Sequence, residues 1–237
     1  MKKIFVTALM IVLTVAAYVA AAPNNSDDVA QYLRRVEETL AKKNPTRAEL
    51  DDAVKLTYDA VELDPKNSLA YHRMGQAKLR LGRDRQAVDA FDKAIELNPN
   101  FEESYYLRGI ALKINGQFER AIADFDKVLT FNPNSAGAYF YRGSCRKILQ
   151  DVPRAIEDFT RSIELDPTNA TAYNDRGVIY AELADYERAL ADFDRAIELR
   201  ADYAIAYHNR SSCRADMGDA AQAQADADKA RELGYRG

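Results

Sequence analysis

The residue types that most often carry out chemistry are few in this chain and widely spaced. Its two cysteines, Cys145 and Cys213, lie 68 residues apart, and its two histidines, His72 and His208, lie 136 residues apart. Nucleophilic catalysis and multi-histidine metal sites need such groups together, and the sequence has no phosphate-binding glycine loop, nucleophile elbow or paired-histidine helix motif. We therefore predict no catalytic residue, no metal and no cofactor, and expect both cysteines to be small buried thiols.

The amino-acid composition limits the kinds of fold and of binding partner that this chain can have. The chain has 237 residues, which allows one or two domains. Its hydrophobic content of 47% excludes wholesale disorder. The net charge of −4 is unsuited to nonspecific binding of nucleic acid, which needs clustered cations. We expect no nucleic-acid partner.

The amino terminus has the pattern of an export signal. Lys2 and Lys3 precede an uncharged run over 4–22 that ends in small residues. Cleavage after Ala21 is favoured, so 1–21 is predicted to be a signal peptide and the protein to be periplasmic or secreted. An uncleaved anchor is the alternative, since a run of 19 residues is long enough to cross a bilayer. In that case the protein would contact the membrane only through 4–22.

A 34-residue period organises the rest of the chain. The residues that keep it are Pro65, Pro99, Pro133 and Pro167, Tyr71, Tyr105, Tyr139, Tyr173 and Tyr207, and Phe91, Phe125, Phe159 and Phe193. Within a unit, apolar residues recur at helical spacing on either side of a glycine such as Gly116. Thr46 and Glu49 fit a helix capping box. Each unit therefore predicts helix, tight turn, helix and breaker, and no sheet.

This pattern resembles the tetratricopeptide repeat family, whose 34-residue motif carries Trp, Leu, Gly, Tyr, Ala, Phe, Ala and Pro in that order. The unit 68–101 supplies Tyr71, Gly75, Ala87, Phe91 and Pro99. The resemblance implies an all-α, right-handed superhelical solenoid of antiparallel helix pairs, without enzymatic activity. The predicted segments after residue 21 are an N-terminal helical segment with a degenerate repeat at 22–67, repeats at 68–101, 102–135, 136–169 and 170–203, and a C-terminal capping repeat at 204–237.

Four units depart from the family motif in the same two places. Arginine replaces the usual leucine of the first helix, and aspartate stands sixteen residues later, in the second helix. The pairs are Arg108 and Asp124, Arg142 and Asp158, Arg176 and Asp192, and Arg210 and Asp226. The unit 68–101 has Met74 and Ala90 instead. We predict structural, partly buried ion pairs, within a unit or between neighbouring units. The alternative is an arginine stripe that binds anions.

The resemblance further implies a concave groove lined by the first helix of each unit. Its candidate peptide-binding residues are His72, Arg73, Gln76, Tyr106, Ile110, Lys113, Phe140, Tyr141, Lys147 and Asn174. The groove is expected to be basic at one end, apolar and aromatic in the middle and acidic at the other end. Tyr106, Phe140 and Tyr141 suit peptide recognition, although the same rings would be explained by packing between neighbouring repeats.

These features predict a non-catalytic scaffold or assembly factor that binds a protein or extended peptide outside the cytoplasm. The alternative is a self-associating structural repeat protein of the cell envelope, which would be a homo-oligomer. The amphipathic segment 22–44 would then exchange between copies.

Overall fold

Twelve α-helices, and no β-strand, make up residues 25–236, which are the residues that the computed structural model describes. The helices are α1 (Asn25–Ala41), α2 (Arg47–Leu63), α3 (Ser68–Arg80), α4 (Asp84–Leu97), α5 (Glu102–Ile114), α6 (Phe118–Phe131), α7 (Ala136–Ile148), α8 (Val152–Leu165), α9 (Ala170–Glu182), α10 (Tyr186–Leu199), α11 (Ala204–Asp216) and α12 (Ala220–Glu232). They pack in consecutive pairs, from α1 with α2 to α11 with α12. The prediction of an all-α solenoid of helix pairs is confirmed.

The chain divides into two compact units, 1–99 and 100–237. The described part of the first unit holds α1 to α4, and the second unit holds α5 to α12. None of the helices in the described range has both the length and the apolar character needed to cross a membrane. The predicted signal or anchor, 1–21 or 4–22, lies outside the described residues.

The helix ends follow the periodic breakers. Helices α2, α4, α6 and α8 each end two residues before the periodic proline. Helix α10 ends in the same register, although Ala201 replaces the proline there. At that end, Arg200 has an extended backbone with φ −144°, and its guanidinium lies 3.3 Å from the ring centroid of Tyr203.

The turns within the helix pairs from α3–α4 to α11–α12 each contain one left-handed residue. Glycine supplies it at Gly82, Gly116 and Gly218, with φ between 71° and 84°. Gln150 and Ala184 adopt the same conformation with φ 60° and 57°. A side chain in this region costs about 1–2 kcal/mol, so these two turns are held against local strain by the packing around them.

The first helix pair has a longer linker, 42–46, than the next pair, whose linker is 81–83. Helix α2 begins at the predicted capping box, which is confirmed: the Thr46 amide donates to Glu49 Oε2 at 2.6 Å, and the Glu49 amide donates to Thr46 Oγ1 at 3.2 Å. Arg80 of α3 donates to the carbonyl oxygens of Leu40, at 2.6 Å, and Lys42, at 3.0 Å. These bonds satisfy the end of α1 and fix it beside α3.

Close approach of glycine and phenylalanine sets the spacing within the later helix pairs. A Cβ atom on Gly75 would lie 2.5 Å from the ring of Phe91, which is fully buried. A Cβ atom on Gly109 would lie 2.8 Å from the ring of Phe125, and one on Gly177 would lie 2.9 Å from the ring of Phe193. The last pair has Ser211 instead, whose hydroxyl donates to the carbonyl of Ala223 at 2.7 Å. The ring thus requires glycine at 75, 109 and 177, whereas a Cβ atom on Gly143 would lie 3.4 Å from the ring of Phe159 and closer, at 3.0 Å, to the Cβ atom of Asp158.

The four predicted arginine–aspartate pairs are present, each joining the two helices of one pair. Arg176 donates from Nε and Nη2 to the two oxygens of Asp192 at 2.9 and 2.8 Å. Their side chains are 16% and 7% exposed. Burial alone would lower the pKa of the Arg176 guanidinium, but the bonds and charge of Asp192 raise it. The other pairs are Arg108–Asp124, Arg142–Asp158 and Arg210–Asp226, at 2.6 Å each.

The same arginines extend to the preceding helix pair. Arg142 donates to Asp126 at 2.6 Å, and Arg210 donates to Asp194 at 2.6 Å. Arg176 instead donates to the hydroxyl of Thr160 at 3.0 Å. Two of these links between pairs are thus ionic and one is neutral.

Removing the arginine of a pair should destabilise the fold by an amount that depends on whether the buried aspartate keeps another cation. We expect Arg176→Ala to lower the free energy of unfolding by about 3 kcal/mol, because Asp192 would stay buried without a cation. Arg142→Ala should cost less, because Asp158 keeps a bond from Arg146 at 2.8 Å. Urea unfolding monitored by circular dichroism measures both.

Two further variants serve as controls. Arg161→Ala breaks a solvent-exposed pair with Glu164 and should leave the free energy of unfolding almost unchanged. Arg176→Met combined with Asp192→Leu removes both charges and should recover most of the lost stability. An unchanged melting temperature for Arg142→Ala and Arg176→Ala would contradict the structural role.

Candidate functional site

The first helix of each pair lines one side of the second unit. Helix α5 lies against α7, α7 against α9 and α9 against α11, whereas α6, α8, α10 and α12 do not meet one another within the described residues. First helices that touch across repeats form the inner side of a curved stack. The inner face is here the side of α5, α7, α9 and α11 that points away from the second helices.

Three aromatic side chains of the first helices α5 and α7 form a cluster. The ring of Tyr141 lies with its centroid 5.9 Å from that of Tyr106 and 5.2 Å from that of Phe140, both nearly perpendicular. Buried Phe125 stacks against Tyr141 from behind at 5.8 Å. All three rings are half-buried. This aromatic patch (Tyr106, Phe140 and Tyr141) therefore packs between repeats and also keeps part of its surface open to solvent.

Apolar and basic side chains border the aromatic patch. Ile114 and Ile148, at the last turns of α5 and α7, are 58% and 47% exposed. The ammonium group of Lys113 lies 5.8 Å from the ring centroid of Tyr141, and Ile110 is half-buried. The surface thus offers apolar area with one cation at its edge.

Tyr106 is held by the start of the neighbouring first helix. A Cβ atom on Gly137 would lie 2.5 Å from the Tyr106 hydroxyl oxygen, so glycine allows this close approach. Burial, and then the neighbouring Tyr141, raise the pKa of Tyr106 to about 12. The phenol is therefore neutral at physiological pH, and its ring is fixed before any partner binds.

Two further groove candidates, Asn174 and Lys147, are engaged within the chain. Asn174 is 4% exposed, and its side-chain oxygen accepts a bond from the amide of Asn209 at 2.9 Å. Its assignment to the groove surface is wrong, because α11 covers it. Lys147 forms an ion pair with Asp175 at 2.9 Å, so its charge is already matched within the chain.

The three candidates of the first unit are also engaged. His72 is fully buried, with its ring 5.8 Å from that of Phe91, so the prediction that it lies on the groove surface is wrong. Arg73 donates to Glu37 of α1 at 2.8 Å and to Gln76 at 2.8 Å. The charge of Arg73 is therefore matched by helix α1.

The cysteines are buried free thiols, as predicted. Burial raises the pKa of Cys145 to about 11, although Lys113 acts in the opposite direction, and burial also raises the pKa of Cys213. Both thiols are protonated, and so weakly nucleophilic, at neutral pH. Over residues 25–236, no group of three or more His, Cys, Asp and Glu side chains is placed to hold a metal ion.

Exposed apolar residues also occur where sequence reasoning did not place them. Leu149, Leu183 and Met217 each follow the last residue of a first helix and are 39%, 54% and 52% exposed. They recur every 34 residues, immediately before the left-handed turn residue. Leu81 has the same register but is partly buried against the core of the first unit, so the register alone does not predict exposure.

Helix α1 uses its apolar face within its own chain. Val29, Leu33 and Val36 are buried against α2 and α3. Exchange of this segment between copies, the predicted route to self-association, would require α1 to leave that site.

Comparison with protein families supports the repeat pattern. Two family models, both described as tetratricopeptide repeat, match the chain, one over 90–123 and the other over 68–101 and 170–203. No curated protein matches the chain.

Solved structures with similar folds are helix-pair repeat proteins. The structure of YrrB, described as a TPR protein with an unusual peptide-binding site, is 26% identical and has a TM-score of 0.67, over 81% of this chain and 96% of that chain. MamA from Desulfovibrio magneticus RS-1 is 22% identical with a TM-score of 0.68, over 75% and 97%. PilF from Pseudomonas aeruginosa is 15% identical with a TM-score of 0.74, over 89% and 93%. The last two show similarity of fold alone.

His72 should make the fold sensitive to acid. Burial, and then Arg73, lower the pKa of His72 from 6.5 to about 3. Below pH 6.5 the unfolded chain binds a proton that the folded chain does not, so stability is lost as the pH falls. Between pH 6.5 and 4.5 the wild type should lose about 2 kcal/mol more than His72→Leu. Urea unfolding across this range measures the difference, and parallel profiles would disprove it.

Proposed function

We propose, on the premise that this chain belongs to the tetratricopeptide repeat family, that it is a non-catalytic scaffold that binds an extended segment of a partner protein on the inner face of its second unit. The aromatic patch, bordered by exposed Ile114 and Ile148, is the observation that carries this proposal.

The physical basis is a pre-formed apolar surface. Aromatic rings bury much area at little conformational cost, and a few such anchors usually dominate the binding energy. Here the rings are fixed by their contacts with each other and with buried Phe125. A partner that covers the patch and the two isoleucines would remove apolar area from water without first ordering the scaffold.

The border of the patch indicates the chemistry of the partner. Apolar side chains of the partner would lie on Tyr106, Phe140 and Tyr141. Lys113 lies beside the ring of Tyr141, and no salt bridge to it is present within the described residues, so it favours an acidic residue next to the apolar ones. YrrB, a similar protein of known structure, is described as having an unusual peptide-binding site, which supports a peptide ligand for this fold.

The scaffold is proposed to act outside the cytoplasm. The support is the order of residues at the amino terminus, where Lys2 and Lys3 precede the uncharged run 4–22. Binding through the second unit is compatible with either a released protein or one retained by an uncleaved anchor.

The mature protein should begin at Ala22. We expect amino-terminal sequencing of the protein from periplasmic or culture fractions to show cleavage after Ala21, because small residues precede this bond. A chain that begins at Met1 in the membrane fraction would support the anchor instead. An intact chain in the cytoplasm would contradict export.

The aromatic patch should determine which partners are captured. Photo-crosslinking in envelope or culture fractions would compare the mature wild type with Tyr106→Ala/Phe140→Ala. We expect at least one partner to be recovered about tenfold less with the variant, since two anchoring rings are lost.

A matched control is Tyr58→Ala/Phe118→Ala, which removes one tyrosine and one phenylalanine from the second helices α2 and α6. It should capture the same partners as the wild type, and circular dichroism should show that both variants are helical. Identical capture by all three proteins, or crosslinks to the same chain only, would transfer the function to another face or to self-association.

A further inference from the structure

The inner face continues beyond the aromatic patch into a small pocket between α9 and α11. The pocket has a volume of about 240 Å³, and its lining includes Val178, Glu182, Asn209, Ser212, Cys213 and Asp216. We call it the acidic pocket. This volume suits one long side chain better than a folded element.

The polar groups of the acidic pocket are mostly acceptors. Ser212 donates its hydroxyl proton to the carbonyl of His208 at 3.2 Å, and Asn209 directs its amide nitrogen to Asn174 at 2.9 Å. Glu182 and Asp216 add two carboxylates, and neither has an ion-pair partner among the described residues. No lysine or arginine lines the pocket. A ligand that fits must therefore bring hydrogen-bond donors and positive charge.

The two carboxylates stand where they weaken their own helices. Glu182 is the last residue of α9 and Asp216 is the last residue of α11. A helix C-terminus carries partial negative charge and favours a cation, and Arg80 provides one at the same register of α3. Residues that disfavour their own helix, with no compensating gain in the stability of the fold, are expected at functional sites.

We propose that the acidic pocket binds a lysine or arginine side chain of the same extended peptide whose apolar residues lie on the aromatic patch. This inference rests on the proposed function and adds a second, charged contact to it. Lys147 and Asp175 pair between the two sites, so Asp175 does not compete for the cation, whereas Glu182 and Asp216 attract it.

Helix spacing sets the distance between the two contacts. The pocket lies between α9 and α11, which are the first helices of the two pairs after α7–α8. Neighbouring packed helices are about 8–10 Å apart, so the pocket is roughly 12–15 Å from α7. An extended chain advances about 3.3–3.6 Å per residue. The basic residue should therefore stand about four positions from the apolar residues.

Selection from a random dodecapeptide display library on the mature full chain tests this spacing directly. We expect enrichment of peptides in which lysine or arginine stands about four positions from an apolar pair. Fluorescence anisotropy then measures the affinity of the most enriched peptide. Glu182→Gln/Asp216→Asn should weaken its binding about tenfold, and replacing its basic residue with alanine should have the same effect.

The stability of the variant separates a binding role from a structural one. Glu182→Gln/Asp216→Asn should melt at the wild-type temperature or slightly above it, since an unfavourable charge is removed from each helix end. The control Glu157→Gln/Glu187→Gln removes two exposed charges from the second helices α8 and α10 and should leave peptide affinity unchanged.

The outcomes distinguish the inference from the function on which it rests. Apolar peptides without a basic residue at fixed spacing, or affinity unchanged in Glu182→Gln/Asp216→Asn, would overturn the acidic pocket while leaving the aromatic patch in place. No enrichment on the wild type, or enrichment unaffected by Tyr106→Ala/Phe140→Ala, would overturn the proposed function and the pocket together.

Discussion

The fold depends on the contact between a glycine of a first helix and the phenylalanine of its partner helix. The ring of Phe91 lies where the side chain of residue 75 would otherwise be, and the arrangement recurs at Gly109 and Gly177. Because each phenylalanine is fully buried, this contact fixes how closely the two helices approach. Successive first helices are thereby kept in one register, and their outward positions form a continuous surface within the second unit.

The same helix pairs also contain buried charged side chains. Each buried aspartate of the second helices lies beside an arginine of the first, and tyrosines cover the arginines: the guanidinium of Arg142 lies 5.2 Å from the ring centroid of Tyr139. Replacing apolar residues by a matched ionic pair brings a desolvation cost that the pair must offset. Met74 and Ala90 are both buried, so apolar side chains are tolerated at the two repeat positions that the ion pairs occupy elsewhere. The pairs therefore bear on specificity of packing more than on the existence of the fold.

Local and periodic features were predictable from the sequence, whereas contacts distant along the chain were not. The capping box at Thr46 and the helix ends before the prolines follow from spacing alone. The arginine–aspartate pairs were also predicted, but spacing left open whether they form within a unit or between neighbouring units. The burial of His72 and the bond from Arg73 to Glu37 were not predicted. Both depend on neighbours in three dimensions. The bond from Arg73 depends on where α1 packs, and the sequence of α1 matches the repeat motif only in part. The aromatic patch was found as a set of residues, but its internal packing required the structure.

The uneven links between helix pairs have a consequence for how the second unit comes apart. In a stack where each repeat touches its neighbours, cooperativity depends on the joints. Arg142 and Arg210 make ionic joints to Asp126 and Asp194, but Arg176 meets the neutral hydroxyl of Thr160. The seam between the α7–α8 pair and the α9–α10 pair is therefore held by this neutral bond and, through the first helices, by the ion pair of Lys147 with Asp175 at 2.9 Å. Fluctuations that open this seam would separate the aromatic patch from the acidic pocket. A peptide bound to both would therefore hold the two helix pairs together and oppose this opening.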